Sequence, residues 1–220
     1  MALNTLIQRL LPLKATKAPN LPVATVDYSQ LGMDQILNAF RLYFTSIDNF
    51  TQAVANINGA VNLSFPYGAF SSTQTQTPSA INTPKLITLN STDYSNGVQL
   101  TAASSFNVTY AGLYNVAFSV QATNGDTQSH DADIYFKKNG VPLANTANVF
   151  SVQGTHGGQP GYTITAANFF IDLVPTDKLE LYWASNSTQV QLNYLPAITS
   201  PFISPGASSV IVTFSFVSAL

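Results

Sequence analysis

The chain has no cysteine. Disulfides, a thiol nucleophile and any cysteine-based metal site are excluded, and with them the small disulfide-stapled scaffold. Charge is scarce. Asp, Glu, Lys and Arg make up 8% of the residues, against about 25% in an average globular domain. The formal net charge is −2, so nothing here can neutralise a run of phosphates, and nucleic acid is excluded as a partner. So little charge also protects poorly against self-association, which predicts a chain that works packed against other copies; the alternative reading of this composition is a secreted, Thr-rich β domain. Long hydrophobic runs are missing. None approaches the roughly 20 residues needed to cross a bilayer. Arg9, Lys14 and Lys17 interrupt or follow the short apolar segment at the start, and no small-residue cleavage site follows it, so it does not read as a signal peptide. Asn-x-Ser/Thr triplets begin at Asn49, Asn62, Asn90, Asn107 and Asn186. In a chain this rich in Asn and Thr they read as accidents of composition.

Chemical motifs are also missing. There is no phosphate-binding glycine loop, zinc signature or nucleophile elbow. The two histidines, His130 and His156, fall in loops, and nothing in the sequence positions a Ser-His-Asp site around either. Asp126, Asp131 and Asp133 offer clustered oxygens of the kind calcium takes. The EF-hand spacing and its closing Glu are absent, so they read as a solvated polar loop. The expectation is a protein that is not an enzyme and carries no cofactor or metal.

What is present is patterned. Hydrophobic residues make up 45% of the chain, enough for a core. Leu3, Leu6, Ile7, Leu10 and Leu11 fall on one helix face, and Pro12 stops that helix. A segment so short is unstable alone and predicts docking on a partner. Pro12, Pro19 and Pro22 mark an extended strap. From residue 30, with Ser29 as N-cap, Met33, Leu37, Phe40, Phe44, Ile47 and Val54 recur at heptad spacing with Thr51 as the one polar lapse, a coiled-coil seam over about three heptads; the alternative is an ordinary amphipathic helix lying on the β domain. Ile36, Tyr43 and Phe50 widen that stripe, and Phe at two seam positions suits a core wider than a dimer's. Gly59 ends the helix.

From Phe65 onward everything reads as β. Strands are expected at 67–76, 84–89, 98–101, 105–109, 113–121, 132–138, 141–152, 161–173, 178–184, 189–194 and 209–217. Turn signals separate them, Asn139-Gly140 being the clearest. The most regular stretch is TYAGLYNVAFSVQ, residues 109–121. Tyr114, Val116, Phe118 and Val120 point one way, into a core. Asn115, Ala117, Ser119 and Gln121 point the other, towards solvent or a second subunit. Many short strands with regular turns predict a mainly β jelly-roll sandwich. The expected organisation is an anchor and strap over 1–29, a heptad helix over 30–58 and the jelly roll over 59–220.

Several segments together resemble a known family: YGAFSSTQTQ; F-x-V-x-x-x-G-x-Y-x-x-x-F from Phe106 to Phe118; the K-N-G hairpin at Lys138 to Gly140; NFFIDLVPTDKLELY with Leu173, Asp177 and Leu179; and the final aliphatic-aromatic strand. Over about residues 65–220 they are similar to the trimeric jelly roll of tumour necrosis factor and the complement globular head. Residues 20–55, a helix behind a Pro-rich strap, resemble short appendage proteins of tailed phages. The resemblances imply a homotrimer with Leu37, Phe40, Phe44 and Ile47 in a trimeric coiled coil. Asn115, Ala117, Ser119 and Gln121 would then lie at the subunit interface, and Tyr67, Tyr182 and Tyr194 become candidates for intersubunit contact. They further imply a structural virion protein of a tailed bacteriophage, a head decoration or fibre. It would dock to capsid or tail proteins through residues 1–29, with Leu3, Leu6, Ile7, Leu10 and Leu11 as the docking face. The alternative is a receptor- or glycan-binding knob that meets a host-surface glycan through loops 122–131 and 153–161. Those loops carry mostly Gly, Asn, Gln and Ser, with Tyr162 at their border, a poor sugar-stacking platform that favours the structural role.

Overall fold

In a computed structural model of the chain, the residues described are 19–21, 27, 29–55, 65–102 and 104–219. The chain divides into two compact units between Ser64 and Phe65. The expected docking face, Leu3 to Leu11, most of the strap and the helix stop at Gly59 lie outside the described residues.

The first unit contributes α1, Gln30–Ala55. It starts where expected. Ser29 Oγ accepts the Gly32 N–H at 3.2 Å, satisfying one of the donors that a helix N-terminus leaves free. Twenty-six residues make a rod of about 39 Å. Along its seam Met33, Leu37, Phe40 and Phe44 are exposed, and Ile36, Tyr43 and Ile47 are partly so.

The second unit folds by crossing repeatedly between two sheets. β1 (Tyr67–Ser72) opens sheet A, β2 (Lys85–Leu86) joins sheet B, and β3 (Ser91–Asn96) returns beside β1. β4 (Val98–Leu100) and β5 (Phe106–Val108) flank sheet B, and β6 (Gly112–Asn124) runs through sheet A. β7 (His130–Lys138), β8 (Val141–Pro142) and β9 (Asn148–Val152) lie in sheet B. β10 (Gly161–Leu173) joins sheet A, β11 (Leu179–Ser185) sheet B, and β12 (Val190–Leu192) and β13 (Val210–Ser218) sheet A. The spatial order is β10-β6-β13-β1-β3 in sheet A and β4-β5-β11-β7-β8 in sheet B. The paired strands are antiparallel. Two antiparallel sheets joined by such crossings form a jelly-roll sandwich.

The core lies between the sheets. Tyr114, Val116, Phe118 and Val120 from β6 are buried, as the alternation required, and meet Ile134, Phe136, Leu181 and Trp183 of sheet B in one cluster. Phe70, Phe106 and Phe214 pack with ring centroids 4.8–6.1 Å apart. Phe118 sits between Phe136 and Phe169 at 6.0 and 6.3 Å. Each such side chain contributes about 1.5–3 kcal/mol by leaving water. Gly112 opens β6 because nothing larger fits. A Cβ there would stand 2.3 Å from the Phe216 ring and 2.7 Å from the Ser218 carbonyl oxygen.

Three expectations need correction. Residues 91–96 form a strand that the sequence did not suggest, since Asp93 and Asn96 disfavour strands and Ser91 and Ser95 add no apolar alternation around Thr92 and Tyr94. It forms because β1 supplies the ladder, paired from Tyr67↔Asn96 to Ser71↔Ser91 with one register shift between Ala69 and Phe70. The single strand expected over 141–152 is two, divided at Asn145, whose φ is 63°. The loop expected over 122–131 shrinks to 125–129, because β6 continues to Asn124 and β7 begins at His130.

Candidate functional site

The outer face of sheet A is built from the side chains that the core rejects. β6 turns Leu113, Asn115, Ala117, Ser119 and Gln121 outward, all half-buried. Their neighbours come from register. Ile164 on β10 lies opposite Gln121, Ala166 opposite Ser119, Asn168 opposite Ala117 and Phe170 opposite Asn115. On the other side β13 places Ile211 beside Ser119, Thr213 beside Ala117 and Ser215 beside Asn115. The strip of small polar residues seen in the sequence is therefore flanked by large apolar ones. Ile164 is 72% exposed, Phe170 65%, Tyr162 59% and Ile211 41%. Asp172 is the one charged residue in β1, β6, β10 and β13 together, and β3 at the sheet edge adds Asp93, whose carboxylate accepts from Ser71 Oγ at 3.2 Å. Asp172 sits at the far end, with its carboxylate 3.3 Å from the Lys138 ammonium. Within the face, Asn115 Oδ1 is buried and accepts no hydrogen bond. An unsatisfied buried acceptor costs about 1–3 kcal/mol. The face thus combines a small polar strip, exposed apolar flanks and one orphan acceptor, the kind of surface patch that marks a candidate contact site.

The three tyrosines separate. Tyr67 is exposed at the start of β1. Tyr182 is on sheet B, stacked on Tyr135 at 6.3 Å with the Lys137 ammonium 3.8 Å above its ring, so it cannot share the outer face of sheet A. Tyr194 follows β12 and donates its N–H to Thr75 Oγ1 at 3.1 Å.

The aspartates singled out in the sequence go to different partners. Asp126 Oδ2 lies 2.7 Å from His130 Nε2, and that bond holds the Asp126 carboxyl below its ordinary value. Asp131 accepts from Ser151 Oγ. Burial lifts the Asp133 carboxyl above its ordinary value, and its Oδ1 has no partner. Asp131 and Asp133 line a cavity of about 280 Å³ with Asn82, Val149, Ser185 and Asn186. Among the described residues no group of three or more His, Asp or Glu comes together as a metal site. His156 belongs to a separate tight turn, exchanging backbone hydrogen bonds with Gln159 across Gly157 and Gly158.

A further polar cluster ties loops together. Asp177 accepts from Val174 N–H at 3.0 Å and from Asn139 Nδ2 at 2.7 Å, and pairs with Lys138 at 3.1 Å. The K-N-G hairpin and the Leu173–Leu179 segment therefore clasp one another. Burial pushes the Asp177 carboxyl up, but these three donors outweigh it and hold it low.

No family model matches the sequence, and no curated protein matches it. Among solved structures the chain is similar to Eiger TNF from S. frugiperda, at 11% identity and a TM-score of 0.45, over 71% of this chain and 95% of that one. The jelly-roll assignment rests on the strand order and pairing described above.

Proposed function

We propose that the chain is a homotrimeric structural protein of a tailed-bacteriophage virion, an appendage that docks to capsid or tail through residues 1–29. The observation that carries this reading is the outer face of sheet A, where Ile164, Phe170 and Ile211 stand exposed around Asn115 and Gln121 with almost no charge. The seam of α1 supports it too, since Leu37, Phe40, Phe44 and Ile47 gain burial when helices meet. Three copies rather than two suit the phenylalanines in that seam and the resemblance to trimeric jelly rolls. The charge-poor surface and the strap before α1 support a place on a particle, where the chain is held among other proteins.

A receptor- or glycan-binding knob would draw on the loops at the end of the sandwich away from Tyr67. Residues 125–129 and 153–160 contain no Phe, Tyr or Trp on which a sugar could stack, which favours the structural role. The test is Leu6→Asp combined with Leu10→Asp, with particle occupancy measured by quantitative gel analysis of purified virions. The expected result is a soluble trimer absent from the particle. Wild-type occupancy of the double variant overturns the docking role.

A further inference from the structure

Between β12 and β13 the chain leaves sheet A as a narrow arm, Leu195 to Ala207. Leu195 and Ala207 exchange backbone hydrogen bonds of 3.0 and 2.8 Å, and Ile198 and Ser204 exchange bonds of 3.0 and 2.9 Å. Its root is fixed to β6. Gln121 donates its N–H to Ser209 O and its Nε2 to Ser208 O, each at 2.9 Å, and accepts from Asn193 N–H at 2.7 Å. The tip is apolar and bare: Phe202 is 64% exposed and Ile203 85%. From Tyr194 to Ser209 there is no charged residue and no histidine.

A two-stranded ribbon with so few bridges is marginal alone and gains order by covering its tip. What lies within reach is set by the root. Gln121 belongs to the outer face of sheet A, in register with Ile164 and next to the row that holds Ile211. The arm therefore springs from the end of the face on which the proposed assembly rests. From Leu195 to Pro201 the chain can reach at most about 20 Å, some four strand spacings, enough to meet an adjoining molecule. A neighbour already held by α1 and by sheet A is present at high effective concentration, so even a small apolar contact is made. A lipid surface is less favoured, since no Lys or Arg on the arm would meet headgroups.

We infer that this arm is an intersubunit clasp: the Phe202-Ile203 tip of one copy packs on the Tyr162, Ile164 and Ile211 end of sheet A in the next copy. The inference rests on the proposed assembly through that face, and goes beyond it by assigning the arm and its seat.

Because the chain lacks cysteine, Ile203→Cys provides a single attachment point at a position too exposed to disturb folding. The full-length variant, labelled there with benzophenone maleimide, is irradiated and the adducts are mapped by mass spectrometry. The expected product is a covalent dimer joined to residues 161–171 or 211–217 of a second copy. In parallel, Phe202→Asp with Ile203→Asp should weaken assembly by about tenfold or more in sedimentation at graded concentrations. Intact oligomers without intermolecular adducts, and with an unchanged assembly constant in the double variant, overturn the clasp and leave the assembly standing. Flotation of the wild-type chain with neutral phosphatidylcholine vesicles, abolished by the same double substitution, overturns it in favour of a lipid surface. A wild-type chain that stays monomeric overturns both readings at once.

Discussion

Phe118 and Ser119 are adjacent in β6 and face opposite ways, so a pair of substitutions tests the core and the outer face separately. Phe118 is 2% exposed, between the rings of Phe136 and Phe169. Phe118→Ala removes a phenyl ring from a core whose walls are fixed by backbone ladders on both flanks of β6, so the cavity can collapse little. A buried Phe→Ala change costs about 3–5 kcal/mol, and poor collapse places this one near 4. For a unit of this size that lowers Tm by roughly 8–16 °C. The assay is urea unfolding at one chain concentration, followed by the fluorescence of Trp183, the single tryptophan, which is fully buried. Ser119→Arg places bulk and charge between Ala166 and Ile211 on the outer face. It should leave the Trp183 emission native while dissociating the proposed oligomer. A loss below about 1 kcal/mol for Phe118→Ala would refute the packing described. Full assembly of Ser119→Arg would refute the interface.

Two predictions concern titratable groups. Asp177 has a depressed carboxyl pKa, so the stability it confers is present above the ordinary carboxylate range and is lost as pH falls through the folded value. Acid denaturation below about pH 4 should therefore become less steep in Asp177→Asn, which should also cost about 1–3 kcal/mol at neutral pH in a urea titration. Asp133 has the opposite sign. Its raised carboxyl pKa means that ionisation opposes folding, so stability from this group falls as pH rises through the ordinary and then the folded value. Asp133→Asn should raise Tm at neutral pH and have little effect once acid has protonated the wild-type group. A drop in Tm for this variant would show that the carboxylate has a binding partner in solution.

The parts legible in the sequence were those where local chemistry and tertiary environment agree. Strict alternation in β6 placed Tyr114, Val116, Phe118 and Val120 in the core. Asn139-Gly140 turned the chain with φ of 54° and 81°, as a type I′ hairpin demands. Ser29 capped α1. What escaped was set at a distance. Strand β3 exists because β1 offers it a ladder, despite Asp93, Asn96 and the lack of an apolar alternation. The candidate face looked small and polar on β6 alone, because Ile164, Phe170 and Ile211 reach it from strands roughly 45 and 90 residues later in the chain, and cross-strand register brings them there. The arm went unnoticed because YLPAITSPFISPG carries no period, only prolines and scattered apolar residues. The exposure of Phe202 and Ile203 depends on how the fold projects the arm, which no local pattern records.

The central claim is that these surfaces exist to meet further copies of the same chain. Sedimentation-equilibrium mass of the purified wild-type chain at micromolar concentration tests it most directly. The account predicts a single species of three times the 23.5 kDa chain mass. A stable species of one chain mass across that range would contradict it.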